Sequence, residues 1–143
     1  MNLRKFIPMA QQAAALSKDP STKVGALVID RRGAIRATGY NGFPRGVDDD
    51  PRRYADRPTK LKLIAHAEAN AIANAAAVGT PLDGCSLVVT KFPCHECAKL
   101  VINAGIAHVL APKPVGSWVD SNNTATFMLV EAGVTIDTYG EEE

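Results

Sequence analysis

The sequence predicts an α/β protein, a three-layer α/β/α sandwich built on a mixed sheet of about five strands. Three observations carry this reading. Short runs rich in β-branched residues alternate with helical stretches of about ten residues, as βαβ units require. Glycine or proline closes nearly every run. The composition, 46% hydrophobic and 22% charged over 143 residues, suits one domain spanning 1–143 with a substantial core.

Each element follows in order. Residues 8–17, PMAQQAAALS, are rich in helix formers, and Pro8 is tolerated in a first turn. KDPST breaks that helix. KVGALVID (23–30) and AIRATGY (34–40) read as two strands joined by RRG, a hairpin that adds an antiparallel pair. A polar loop is expected over 41–60. AHAEANAIANAAAV (65–78) is an alanine-rich helix stopped by Gly79 and Pro81. CSLVVTK (85–91) is a strand, CHECAKLVINA (94–104) a helix closed by Gly105, and IAHVLAP (106–112) a further strand. A loop through KPVGSWVDSNN leads to the helix TATFMLVEA (124–132), stopped by Gly133, and VTIDTY (134–139) is the last strand.

Composition narrows the function classes. The formal net charge is +1, so no strong field invites nucleic acid or an anionic membrane. No apolar run approaches the ~20 residues of a membrane span. MNLRKFIPMAQQ lacks the apolar core and cleavage site of a signal peptide, so a cytoplasmic location is expected. The charge runs at 48–57 and 141–143 read as solvated surface. Three cysteines cannot form a full disulfide framework, and Cys94 and Cys97 form a C-x-x-C. In an unsecreted chain that pattern points to metal or redox chemistry.

The chemistry concentrates in HAEANAI (66–72) and PCHEC (93–97). Cys94 and Cys97, three apart, place both sulfurs on one face of a helical first turn. Two thiolates and the imidazole of His66 suit Zn²⁺, and three protein ligands leave a fourth position open, the mark of a catalytic site. His95 should point about 100° away from Cys94. His108, expected mid-strand, reads as a packed histidine, and Cys85 as a small core thiol. His66 and Glu68 differ by about 200° around a helix. They reach one site only if the metal lies end-on at the helix N-terminus. Two helix N-termini would then face one zinc, and their partial positive charge favours thiolates. Glu68 becomes the natural proton carrier.

The pattern H-x-E…P-C-x-x-C is the signature of the zinc-dependent cytidine deaminases. SKDPSTKVGALVID, GYNGFPRG, HAEANAI, FPCHECAKLVINAGI and EAGVTI follow one another as in the deoxycytidylate (dCMP) deaminases, which this chain resembles over most of residues 11–137. The resemblance implies a cytidine deaminase-like fold and hydrolytic conversion of dCMP to dUMP. It implies His66, Cys94 and Cys97 as zinc ligands and Glu68 as the proton shuttle. Asn41 would contact the substrate sugar, the alternative being a turn-forming Asn before Gly. The amide of Ala67 would face the base. Lys23 is either a phosphate contact or a solvated lysine at a strand start. Ser21, Thr22, Arg45 and Lys113 are further phosphate candidates. The resemblance also implies dCTP and dTTP effectors and a homo-oligomer, hexamers being common among related deaminases. Where such proteins carry a tyrosine-containing segment after the fourth strand, this chain has APKPVGSWVDSNNTA, with Trp118 and Asp120 in its place.

Other readings stay open. Deamination of dCTP or deoxycytidine uses the same machinery. A tRNA or polynucleotide base deaminase predicts a basic face, which the net charge opposes. A zinc-stabilised binding domain predicts four closed ligands and indifference to Glu68. A C-x-x-C redox role leaves the His-x-Glu pair without a purpose.

Overall fold

The computed structural model describes residues 1–116 and 119–140. Ser117, Trp118 and the terminal acidic run 141–143, singled out above, lie outside the described residues. A 3₁₀ turn, Leu3–Phe6, is capped by the Asn2 side chain and runs into helix α1, Ile7–Ala14. Strands β1 (Gly25–Ile29) and β2 (Ile35–Tyr40) form the predicted hairpin. Helices α2 (Pro51–Ala55), α3 (Arg57–Leu63) and α4 (Ala67–Ala77) precede β3 (Ser86–Val89). Then come α5 (His95–Asn103), β4 (His108–Pro112), α6 (Val119–Glu131) and β5 (Thr135–Tyr139).

The five strands make one sheet in the order β2-β1-β3-β4-β5. β1 is antiparallel to both β2 and β3, while β3–β4 and β4–β5 are parallel, so the sheet is mixed as expected. β1 is buried along its whole length because helices cover both faces. Its alternate residues feed two cores. Ala26 and Val28 join Ala67, Ala71, Leu87, Val101 and Leu129, the α4–α5–α6 side. Leu27 and Ile29 join Phe6, Ala10, Val88 and Leu110, the α1 side. This is the three-layer sandwich.

Two glycines set how closely helices approach the sheet. A Cβ on Gly25 would lie 2.0 Å from the Ala10 carbonyl oxygen, and one on Gly39 would lie 2.4 Å from both the Ala67 oxygen and the Ala71 nitrogen. Backbone against backbone at that range admits only hydrogen.

The segment 41–60 differs from the predicted loop, since α2 and most of α3 lie within it. Its signals are Asp-Pro and Asp-Arg-Pro, an N-cap residue followed by proline in a first turn. Asp50 Oδ1 accepts from the Arg52 amide at 2.8 Å. Polar composition concealed them. α6 starts at Val119, five residues before the expected Thr124; Asn122, read as loop, is 4% exposed within it and donates to the Pro93 carbonyl at 3.2 Å. His108 is exposed and opens β4, correcting the packed mid-strand histidine.

Candidate active site

His66 and Cys94 are both N-caps, with extended backbone (φ −77°, ψ 157° and φ −74°, ψ 168°) that turns each side chain back across its helix end. The N-termini of α4 and α5 therefore face each other, as the His-x-Glu spacing demanded. His66 Nδ1 lies 3.4 Å from both Cys94 Sγ and Cys97 Sγ. The three donor atoms all fall within 4.8 Å of one another. Tetrahedral zinc, at about 2.3 Å from sulfur and 2.0 Å from nitrogen, needs sulfur–nitrogen separations of about 3.5 Å. The donor set fits. Among the described residues this is the one cluster of its kind, and no fourth protein ligand closes it.

The helix ends supply the electrostatics. The Cys97 amide donates to Cys94 Sγ at 3.4 Å, and the Ala69 amide donates to Cys97 Sγ. A hydrogen bond from the Cys97 thiol is the chief reason that Cys94 is pushed down to about 3, with His66 and the Cys97 amide adding to it against burial. Cys97 itself is raised, by that same bond and by burial. His66 is raised, first by its bond to Cys94. Glu68 is 4% exposed, and burial pushes its carboxyl up to about 7 against the pull of its own backbone amide and of His66. A carboxyl poised near neutrality is suited to taking and giving a proton.

One cleft of about 140 Å³ joins these groups to others far away in sequence. Its walls include His66, Ala67, Glu68 and Cys94 at one end, with Lys91, Phe92 and Asn122. Asp19, Thr22, Val24 and Asn41 form another wall, and Arg57, Lys60, Leu61 and Ile64 a third. Ala67, first residue of α4, carries one of the amides that a helix cannot satisfy internally. A two-residue bridge ties the GYNG turn to the segment before His66: the Gly42 amide donates to the Ala65 carbonyl at 3.1 Å and the Ala65 amide donates back at 2.8 Å.

Asn41 lines the cleft but is 5% exposed and already engaged. Its Nδ2 donates to the Thr22 carbonyl at 2.8 Å and to Asp19 Oδ2 at 3.4 Å, and its Oδ1 accepts from the Val24 amide at 2.9 Å. Lys23 is exposed, places its ammonium on the Ser17 carbonyl and is not among the cleft-lining residues. Arg45 bonds Asn74 at 2.7 Å, also away from the cleft. His95 turns away from the cluster, as its helical angle required, with Nδ1 2.7 Å from Ser121 Oγ. Cys85 is a buried core thiol.

The sequence reading missed Asp19, Lys60 and Arg57. Asp19 is 1% exposed and Lys60 8%, and Lys60 Nζ reaches Asp19 Oδ2 at 2.8 Å, Oδ1 at 3.0 Å and Ser21 Oγ at 2.8 Å. Burial alone would raise the Asp19 carboxyl; Lys60 with the Ser21 and Thr22 donors outweighs it and holds the group below its ordinary value. The local signal was D-P-S-T, an Asx-turn pattern in which Asp19 Oδ1 accepts from the amides of Ser21 (2.9 Å) and Thr22 (3.2 Å). Its pairing with a lysine forty-one residues on had no local signal.

Comparison with known proteins agrees with this geometry. Residues 1–112 match the protein family described as the cytidine and deoxycytidylate deaminase zinc-binding region. The chain is 41% identical over 139 residues to a deoxycytidylate deaminase of Homo sapiens, covering 94% of this chain and 77% of that one. It is 38% identical over 122 residues to a deoxycytidylate deaminase of Mycobacterium phage D29, covering 76% and 91% of the two. The crystal structure of the dCMP deaminase of cyanophage S-TIM5, in complex with dCMP and dUMP, superposes with a TM-score of 0.76 at 25% identity over 95% of each chain. The converging donors, the buried Glu68 carboxyl in the same cleft and these likenesses agree: the chain belongs to the zinc-binding cytidine and deoxycytidylate deaminase family.

Proposed function

We propose that this chain, as one domain, catalyses the hydrolytic deamination of dCMP to dUMP and ammonia. The observation that carries the proposal is the buried Glu68 carboxyl, sharing one cleft with a three-donor metal cluster that leaves a coordination position free. His66 Nδ1, Cys94 Sγ and Cys97 Sγ would hold zinc. When bound, zinc lowers the pKa of water toward neutrality and so makes a nucleophile for C4 of the cytosine ring.

The remaining work falls to protein groups. Glu68 accepts a proton from the attacking water and passes it to ring N3, then takes up the proton of the new C4 hydroxyl and delivers it to the departing amine, so that the carbonyl forms as ammonia leaves. Its buried position keeps the carboxyl close to neutrality for both transfers. The amide of Ala67 faces the base at the cleft floor. Asn41 stands beside the sugar, its amide orientation locked by Thr22, Val24 and Asp19, with one lone pair of Oδ1 still able to accept. The human and phage relatives named as deoxycytidylate deaminases support dCMP over other cytosine compounds.

The test is ammonia release from dCMP, dCTP, deoxycytidine and CMP by zinc-loaded protein and by Glu68→Gln. We expect dCMP to be preferred, and the substitution to lower turnover by at least about 10²- to 10⁴-fold with metal content unchanged. Full activity of Glu68→Gln would remove Glu68 from the mechanism. Turnover of deoxycytidine alone would reassign the substrate. The same assay with added dCTP or dTTP, and a sizing measurement, tests the further expectation of effector control in a homo-oligomer. No helix among the described residues is long and apolar enough to cross a membrane, in keeping with the proposed cytoplasmic setting.

A further inference from the structure

α3 contributes a stripe to the cleft wall: Arg57, Lys60, Leu61 and Ile64, spaced i, i+3, i+4 and i+7. Seven residues at 1.5 Å each carry that stripe about 10 Å, from Ile64, two residues before His66, out to Arg57. The stripe's cations differ in what they already hold. Lys60 is buried and its ammonium is shared between both Asp19 oxygens and Ser21 Oγ, so the pair adds no net charge to the wall. Lys91 lies at the metal end, close enough to bias both His66 and Glu68. Arg57 is exposed at the far end of the stripe, and its guanidinium makes no ion pair or hydrogen bond among the described residues. Lys23 and Arg45, the cations that sequence order suggested, do not line the cleft.

An unpaired guanidinium on the wall of the same cleft, about 10 Å along α3 from the residue two before His66, suits a phosphate. Its planar fork of N–H donors pairs with two phosphate oxygens at once. Resting on the reading of the site as a nucleotide deaminase, we propose that Arg57 is the specificity residue that binds the substrate's 5′-phosphate. Asp19 has a part in this division. It neutralises Lys60, which leaves Arg57 as the cation that answers the phosphate at that end of the cleft.

Binding tests this independently of turnover. Zinc-loaded wild type, Arg57→Ala and Arg57→Lys would be titrated calorimetrically with dUMP and with deoxyuridine, which differ only in the phosphate. Arg57 is exposed, so folding is not at risk. For Arg57→Ala we expect about 10- to 100-fold weaker dUMP binding, deoxyuridine within twofold of wild type, and an intermediate loss in Arg57→Lys. In turnover, kcat/KM should fall by the same factor for dCMP and stay level for deoxycytidine. Unchanged dUMP affinity in Arg57→Ala, or equal losses on both ligands, would overturn the assignment. A wild type that deaminates dCMP while Arg57→Ala loses nothing would overturn this inference alone. A wild type indifferent to the phosphate in both binding and turnover would overturn this inference together with dCMP as the substrate.

Discussion

Replacing Gly39 by alanine probes the joint between fold and site. Gly39 lies on β2 beneath the first turn of α4, and a Cβ there would meet the Ala67 oxygen and Ala71 nitrogen at 2.4 Å and the Ala71 Cα at 2.9 Å. All three atoms are backbone, so no side chain can rotate aside. Ordinary carbon contacts begin near 3.5 Å, so α4 must recede by about 1 Å. α4 cannot recede freely, because Ala67, Ala71 and Ala75 along it are buried in the larger core. Overpacking of this kind costs about 1–3 kcal/mol, or more where backbone must move. In a chain of this size each kcal/mol lowers Tm by about 2–4 °C, so a fall of about 2–12 °C is expected in thermal unfolding. The same helix end carries His66 and Glu68, the proposed metal ligand and proton carrier, and a shift of about 1 Å in groups with those roles costs about 100-fold in rate. Gly39→Ala should therefore lose both stability and activity at temperatures where it is still folded. A variant as stable and as active as the parent would refute the claim that this glycine sets the depth of α4. Loss of stability with full activity would show that the site tolerates the displacement.

Other outcomes follow from the same geometry. Asp19→Asn strands the Lys60 ammonium in a buried setting and should cost about 3–5 kcal/mol in urea unfolding, whereas the double change Asp19→Leu with Lys60→Met should recover most of it; equal losses in both would mean that the pair is not what matters. Because the folded Asp19 carboxyl sits below its unfolded value of about 3.9, its contribution is complete above that value and vanishes as pH falls through the folded one. The stability gap between parent and Asp19→Asn should thus be level from neutrality to about pH 5 and close below about pH 4; a gap that widens in acid would contradict the sign. Stripping the metal with a chelator should lower Tm by about 10 °C, reversed by added zinc and abolished in Cys97→Ser. An unchanged Tm would argue that the His66–Cys94–Cys97 cluster holds no structural charge of metal.

The elements of this protein are written in local pattern and can be read from neighbouring residues alone. Alternating β-branched and helical runs specify which elements form, because burial of one face imposes a period of two or 3.6 on side chains. The metal cluster was legible for a similar reason. Cys94 and Cys97 share one helical turn, and the 200° between His66 and Glu68 admits convergence only at a helix end, where the structure places it. Tertiary structure decided what depends on distant partners. Lys60 looks like any surface lysine until Asp19, 41 residues earlier, is brought beside it. Asn41 reads from GYNG as a sugar contact or a turn former, and its contacts with Thr22, Val24 and Asp19 make it a fixed, buried cleft wall. Lys23 and Arg57 are alike as isolated cations; α3, hidden in a polar stretch, turns Arg57 toward the cleft and leaves Lys23 on the Ser17 carbonyl. Local periodicity is encoded residue by residue, whereas the partner of a charge is chosen by where the chain returns.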